Sequence, residues 1–306
     1  MAKILCLTLN PALDLTVCLA RLEPGEVNRS ETVLTHAAGK GVNVAQVLAD
    51  LGHQVTVSGF LGAANSQAFD ALIASRGFGD SFIRVPGETR SNIKIAEQGG
   101  RVTDINAPGP VVSEQAQQAL LKSLAVVGPA FDAVVVAGSL PRGVSPQWFQ
   151  GLLEQLKALG LKVALDTSGE ALRAGLQTGP WLVKPNTEEL ADALGNAPDA
   201  VSRLHQQGVE HVVVSDGAAG VNWYSPGTAL HATPPKVVVA STVGAGDSLL
   251  AGMVHGLLRG DAPEQTLRRA TAIAAMAVTQ IGFGISDDAQ LARLESGVHV
   301  RTLTEQ

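Results

Sequence analysis

The chain has 306 residues, 45% of them apolar and 16% charged, which is enough for one large α/β domain or two ordinary ones and excludes wholesale disorder. Its formal net charge of −6, carried without a block of like charges, excludes the basic face that a nucleic acid or an anionic membrane needs, so an anionic small ligand has to be met by a few placed groups. No apolar run approaches the roughly 20 residues of a membrane span, and the N-terminal Met1-Ala2-Lys3-Ile4-Leu5 enters a strand at once rather than a signal-peptide core.

Residues 4–9 form the first apolar, β-branched run and predict a strand buried on both faces. The run ends in Thr8-Leu9-Asn10-Pro11, and Asp14 follows as a carboxylate at a strand end, suited either to sugar hydroxyls or to a solvated turn. Residues 13–35 alternate without helical periodicity and predict antiparallel strands in an insertion. Gly39-Lys40-Gly41-Val42-Asn43 then leads into a helix predicted over 42–51. This glycine-rich entry lacks the Walker A pattern, yet it lets a ligand approach the backbone and brings Asn43 into the first turn. Close helix–sheet packing is the bland alternative.

A strand over 55–61 and a helix over 66–76 follow, and then a second alternating insertion over 81–104. Within it Arg90, Asn92 and Lys94 share one strand face, as phosphate donors or as the solvated side of a ribbon. The two insertions are expected to pair into a small sheet, a flap that covers a site or offers an edge for a homodimer. Further helices are predicted over 114–127, 146–159 and 188–194, and further strands over 133–137, 163–166, 181–184 and 212–215. Strands alternating with helices imply a doubly wound, mostly parallel sheet, an α/β fold with its ligands beyond the carboxyl strand ends. Those ends carry Gly138-Ser139-Leu140-Pro141, Lys184-Pro185-Asn186-Thr187-Glu188-Glu189 and Ser215-Asp216-Gly217-Ala218-Ala219-Gly220. Asn186 and Glu189 could orient a hydrated Mg²⁺, or simply begin a helix. The cysteines, Cys6 and Cys18, lie in apolar surroundings and read as buried thiols in a reducing cytoplasm. Seven histidines without a clustered spacing argue against zinc.

Ser241-Thr242-Val243-Gly244-Ala245-Gly246-Asp247-Ser248 is the most specific stretch. It is expected to follow a strand over 237–240 and to run into a helix. Two glycines around an alanine aim several amides outward at the helix start, an anion site made without basic side chains. Asp247 in its middle is either a helix cap or the base that takes a proton from a hydroxyl during phosphoryl transfer.

Taken together, Thr242-Val243-Gly244-Ala245-Gly246-Asp247 and Gly39-Lys40-Gly41-Val42-Asn43-Val44-Ala45 resemble the two motifs of the ribokinase/PfkB family of carbohydrate kinases, and the likeness runs over essentially the whole chain. Asp14, Thr89-Arg90-x-Asn92, Gly138-Ser139-Leu140-Pro141 and Lys184-Pro185-Asn186 are similar to the branch that acts on ketose phosphates. The resemblance implies a single ribokinase-like domain with a β-sheet lid, and transfer of the γ-phosphate of ATP, with Mg²⁺, to the C6 hydroxyl of fructose 1-phosphate. Tagatose 6-phosphate and fructose 6-phosphate are the alternative acceptors. It makes Asp247 the base and Gly244, Ala245 and Gly246 the anion hole. Asp14, Gly39, Lys40, Asn43, Arg90 and Ser139 would contact the sugar phosphate. Lys184, Asn186, Ser215, Gly217, Gly220 and Ala275 would line the nucleotide, and Asn186 and Glu189 would hold Mg²⁺ through water. Backbone groups of Ser241, Val243, Ala277, Gln280 and Gly282 would hold K⁺. The chain departs from the branch at Ala38, Asp216 and Gly284.

Two readings from other classes are weaker. A dehydrogenase needs Gly-x-Gly-x-x-Gly, and Leu249 stands at the third glycine position after Gly244-x-Gly246. A sugar-phosphate sensor has no use for a carboxylate inside its anion site.

Overall fold

The computed structural model describes residues 1–280 and 282–303. β1 (Lys3–Thr8) lies inside a ten-stranded sheet, and its residues Ile4, Leu5, Cys6 and Leu7 are wholly buried. After β1 the chain leaves the sheet through β2 (Ala12–Leu19) and β3 (Thr32–Ala38). It comes back through helix α1 (Lys40–Asp50) to β4 (Gln54–Gly62), which pairs parallel to β1. Helix α2 (Gln67–Arg76) then leads to β5 (Gly79–Val85) at the edge. A second excursion, β6 (Arg90–Glu97) and β7 (Val102–Asn106), precedes α3 (Glu114–Val127).

From α3 the chain returns to the other flank of β1 as β8 (Ala133–Ala137), and α4 (Pro146–Ala158), β9 (Lys162–Asp166), α5 (Gly169–Leu176) and β10 (Leu182–Val183) extend that flank. Helices α6 (Thr187–Leu194) and α7 (Ala200–Gln206) bring in β11 (His211–Ser215). An antiparallel extension follows, made of β12 (Val221–Ser225), β13 (Thr228–Thr233) and the late strand β14 (His299–Thr302). Before β14 come α8 (Ala245–Arg259), α9 (Pro263–Ala277) and α10 (Asp288–Ser296). The sheet is thus mostly parallel, in the order β14-β13-β12-β11-β10-β9-β8-β1-β4-β5. One face packs on α1, α8 and α9 through Val42, Leu48, Leu250 and Met253. The other packs on α3 and α4 through Leu120, Leu124, Phe149 and Leu152. Apolar layers on both faces are why the parallel strands read as unbroken apolar runs.

The strand order reverses beside β1, whose neighbours β4 and β8 belong to successive passes of the chain in opposite directions. Loops diverge at such a reversal and leave a crevice at the carboxyl strand ends. The segments around Asn10 and Ser139 occupy that place here.

The two excursions form one small sheet in the order β3-β2-β6-β7. Five expectations need correction. β2 and β6, the strands that join the excursions, run parallel, with Asp14 opposite Asn92, whereas antiparallel pairing was expected. Ser81–Val85, assigned from alternation to the second insertion, lies in β5 and pairs parallel with β4 in the large sheet, because an edge strand half-covered by helices also alternates. Residues 237–240 form no strand: the run is apolar but has no strand beside it, and Val238 is 90% exposed. Cys6 is buried as expected, while Cys18 on β2 is only half-buried. The strand expected over 181–184 is reduced to Leu182–Val183.

Candidate active site

The carboxyl strand ends converge on the start of α8. Gly244 caps that helix with φ of 83°, a left-handed conformation that favours glycine. A Cβ there would also lie 2.7 Å from Cε1 of Phe283, so the ring packs directly on the glycine. The amides of Gly244, Ala245, Gly246 and Asp247 have no acceptor among the described residues, and the first bond of the turn is Ser248 N donating to Gly244 O at 2.8 Å. A helix leaves its first amides open and carries a positive dipole end there, so this turn attracts an anion.

Asp247 sits in the first turn and is 5% exposed. Asn43 Nδ2, from the first turns of α1, donates to Asp247 Oδ2 at 2.7 Å. Burial pushes the Asp247 carboxyl up to about 6, and Asp166 adds to the rise, while Lys40, Asn43 and Lys184 hold it back. A carboxylate with this pKa is ionised near neutrality yet still able to accept a proton, which is what a general base requires. Asn43 Oδ1 is buried beside it without a partner, as groups that wait for a polar ligand are.

Asp166 ends β9, where the sequence predicts only the close of a strand, and it organises the charges of the site. It is fully buried, with Lys40 Nζ 3.2 Å from Oδ1 and Lys184 Nζ 3.3 Å from Oδ2. Burial alone would raise its pKa, but the two ammonium groups reverse this and hold it below the usual carboxylate range. Lys184 Nζ also lies 3.2 Å from the position of a Cβ on Gly246, so the ammonium stands over the open amides. Asp166 closes an apolar run, which does not by itself mark a charged centre; Asp14, expected at a strand's carboxyl end, lies instead inside β2 of the small sheet, opposite Asn92.

On the small sheet Asp14 is nearly buried and receives Lys94 Nζ at 2.5 Å and Asn92 Nδ2 at 3.1 Å. Asn92 and Lys94 thus share the face expected of them and meet Asp14 across the β2–β6 seam. Arg90 at the base of β6 donates to three backbone oxygens, those of Asn10 and Ala107 at 3.0 Å and of Pro11 at 3.4 Å. Ser139 Oγ accepts from Asn10 Nδ2 at 3.2 Å, which ties the loops after β1 and β8 together. Gly39 caps α1 beside Thr8 and Pro11.

Asn186 and Glu189 form a reciprocal capping box at α6, with Glu189 Oε2 accepting from Asn186 N at 2.9 Å and Asn186 Oδ1 accepting from Glu189 N at 2.7 Å. Their helix-start role is therefore realised in the fold. Asn186 bridges in parallel to Ser215 at the end of β11, and the turn through Gly217 and Gly220 follows. Ala275 is buried in α9. The segment through Ser241 and Val243 meets the end of α9, where Val278 O accepts from Ala240 N at 2.7 Å. Gln280 closes the next turn, its Nε2 donating to Gly284 O at 2.8 Å, beside Ala277 and Gly282. No group of acidic, histidine and cysteine side chains able to hold a metal ion occurs among the described residues, and no helix among them is long and apolar enough to cross a membrane.

An open anion turn, a buried carboxylate of raised pKa and a flap carrying Asp14 fit phosphoryl transfer to a hydroxyl, and comparison with known proteins agrees. The profile of the pfkB family carbohydrate kinases matches residues 7–290. The chain belongs to this family. This carbohydrate kinase is 46% identical to the 1-phosphofructokinase of Vibrio cholerae, over 98% of its own length and 97% of the relative's. It is 44% identical to the 1-phosphofructokinase of Escherichia coli, over 98% of both chains. Among solved structures, it superposes on the phosphofructokinase-2 of Escherichia coli in complex with potassium with a TM-score of 0.88, at 27% identity, over 97% of its length and 99% of the other. The same enzyme in complex with fructose-6-phosphate superposes with a TM-score of 0.86, at 26% identity, over the same shares of the two chains, 97% and 99%. Membership in the family implies ATP and a divalent metal for this kinase.

Proposed function

We propose that this carbohydrate kinase transfers the γ-phosphate of ATP to the C6 hydroxyl of fructose 1-phosphate and forms fructose 1,6-bisphosphate. The observation that carries the reading is Asp247, a buried carboxylate with a pKa near 6 beside open helix amides and hydrogen-bonded to Asn43. The relatives named 1-phosphofructokinase support fructose 1-phosphate as the acceptor.

In this reading the Asp247 carboxylate takes the proton of the C6 hydroxyl as that oxygen attacks phosphorus in line. The open amides of Gly244 to Gly246 and the Lys184 ammonium stabilise the charge on the transferring group, and Asp166 holds Lys184 and Lys40 in place for it. Asp14 and Asn43 orient the sugar hydroxyls, and the small sheet closes over them as a lid and excludes water. Bound Mg²⁺, oriented through water by Asn186 and Glu189, would neutralise phosphate charge; the oxygen Oε1 that Glu189 keeps outside its capping box suits that outer role. Backbone groups of Ser241, Val243, Ala277, Gln280 and Gly282 are the proposed K⁺ site; Ser241 N donates to Val278 O at 3.2 Å.

Fructose 1-phosphate is expected to give the highest kcat/KM in an assay over fructose 1-phosphate, tagatose 6-phosphate and fructose 6-phosphate. A tenfold preference for either of the others overturns the substrate assignment. Repeating the assay with Mg²⁺ chelated, or with Na⁺ in place of K⁺, checks the ions in the same way.

We further propose a homodimer through the small sheet. Its edge strands β3 and β7 expose Val33 and Ile105 at 52% and 53%. Unpaired apolar edges of this kind favour pairing with a second copy. Sedimentation should give twice the chain mass for the wild type and the single mass for Ile105→Asp; a monomeric wild type rejects the dimer.

A further inference from the structure

The loop between α9 and α10 reaches the start of α8 with one side chain, the half-buried Phe283. From a Cβ on Gly244, its Cε1 and Cδ1 would lie 2.7 and 2.9 Å away and its Cζ 4.0 Å, so the ring meets the glycine along one edge with its tip turned off. Little else restrains that residue. Among the described residues the amides of Gly244 to Asp247 have no acceptor, and the turn is closed only by Ser248 N donating to Gly244 O. A glycine populates both signs of φ, so a turn held by one bond would spread its amides over many directions. Amides that stabilise a developing charge must instead be aimed before the charge appears.

The loop is fastened just beside the ring. Asp50, the last residue of α1, accepts from Ile285 N through Oδ2 at 2.7 Å and from Arg76 Nη2 through Oδ1 at 2.6 Å. Arg76, at the end of α2, also donates to Gln46 O at 2.7 Å, so the carboxylate is itself held. Gly284 stands between Phe283 and Ile285 with φ of 106°, and a Cβ there would lie 2.5 Å from Asp50 Oδ2. A side chain at 284 would push the carboxylate off the Ile285 amide, which gives a physical reason for the glycine at this departure from the ketose-phosphate branch. Within the loop, Gln280 Nε2 donates to Gly284 O at 2.8 Å and Ser286 Oγ donates to Gln280 Oε1 at 2.6 Å. Helix α1 thus reaches the catalytic turn from both of its ends, by Asn43 on Asp247 and by Asp50 through the loop to Phe283 on Gly244.

We propose that Phe283 is a positioning residue for phosphoryl transfer. Asp50 and Arg76 pin its loop, and the ring holds Gly244 in the left-handed conformation that aims the amides of Gly244 to Gly246 at the transferring group. This rests on the kinase reading above and deepens it.

The test combines steady-state kinetics on ATP and fructose 1-phosphate with hydrogen exchange of the ligand-free protein, read by mass spectrometry. Phe283→Ala should lower kcat about 10–100-fold and leave both KM values within about threefold, because misaimed amides are missed chiefly in the transition state. In the same variant the Ser248 amide should exchange about tenfold faster, with the later turns of α8 unchanged. Phe283→Tyr should recover most of the loss, since the ring edge on Gly244 is kept and the added hydroxyl sits at the tip that points away. Asp50→Ala should lower kcat in the same direction, and the double variant Asp50→Ala/Phe283→Ala should fall no lower than Phe283→Ala alone, because Asp50 acts through the ring. A folded Phe283→Ala with near-normal kcat overturns the proposal, and so does a loss of kcat with Ser248 exchange unaltered. Additive losses in the double variant, or recovery of kcat at raised K⁺, overturn it too, since they place the effect elsewhere than in the ring contact. If Asp50→Ala does not fold, Phe283→Ala and Phe283→Tyr still decide. The kinase reading fails separately: a wild type that turns over no sugar phosphate loses that reading, while Ser248 exchange still shows whether Phe283 restrains the turn.

Discussion

Asp247→Asn is expected to lower turnover about 10²–10⁴-fold, because a carboxamide cannot take the hydroxyl proton. Substrate affinities should change little, since Asn keeps an oxygen to receive Asn43 Nδ2. The same substitution should make the protein more stable at neutral pH. Burial raises the folded pKa of Asp247 from 3.8 to about 6, so the native state holds this proton more tightly than the unfolded chain does. The resulting stabilisation is complete below about pH 4, declines as pH rises through about 6, and is gone by neutrality. Relative to an uncharged side chain, the ionised group then costs up to ~3 kcal/mol. The wild type should correspondingly gain activity as pH rises through about 6, where the base loses its proton. A pH–rate profile and denaturant unfolding of both proteins check this. A folded variant with near-normal turnover rejects Asp247 as the base; lost turnover without any gain in stability rejects the burial argument alone.

Asp166→Asn is expected to destabilise the protein by about 3–5 kcal/mol, the usual cost of removing one partner from a buried ionic cluster. Most of this falls on Lys184, which is 4% exposed and loses its counter-charge. Lys40 has a side chain 41% exposed and is largely screened by water, so its share is small. The depressed pKa of Asp166 gives the pH dependence opposite to that of Asp247: its stabilisation is present above the ordinary carboxylate range and is lost as pH falls through the lower folded value. Urea unfolding at pH 7 should show a lower midpoint with an unaltered slope. A loss under about 1 kcal/mol would mean that water or an anion replaces the carboxylate.

Much of the fold was legible because parallel strands buried on both faces write themselves as apolar runs: β1, β4, β8, β9 and β11 lie where those runs predicted them. Residues 237–240 show the limit of that signal, since apolarity marks a strand only where a neighbouring strand is available to pair. β12, β13 and β14 leave no such run, because the sheet's outer antiparallel strands mix buried and half-exposed positions. At the site, Asp247, Asn43, Asp14 and Lys184 stand in glycine- or proline-marked strand-end motifs. Asp166 does not announce itself. Its importance lies in what stands opposite, Lys40 and Lys184, and these partners come from distant parts of the chain.

The seam of the small sheet has a consequence for how the molecule comes into being. Asp14 and Asn92 face each other across β2 and β6 but stand 78 positions apart along the chain. Neither excursion is a complete unit: each supplies only a two-stranded ribbon, and isolated ribbons are marginal in water. The small sheet therefore waits in folding until β1, β4 and β5 have brought its halves together, because so long a loop closes only at an entropic cost that the large sheet's packing offsets. Grafting one excursion onto another scaffold would transfer half a seam, and deleting either would strip the other of its partner. Asp14 thus meets Asn92 and Lys94 only once the body of the protein has formed.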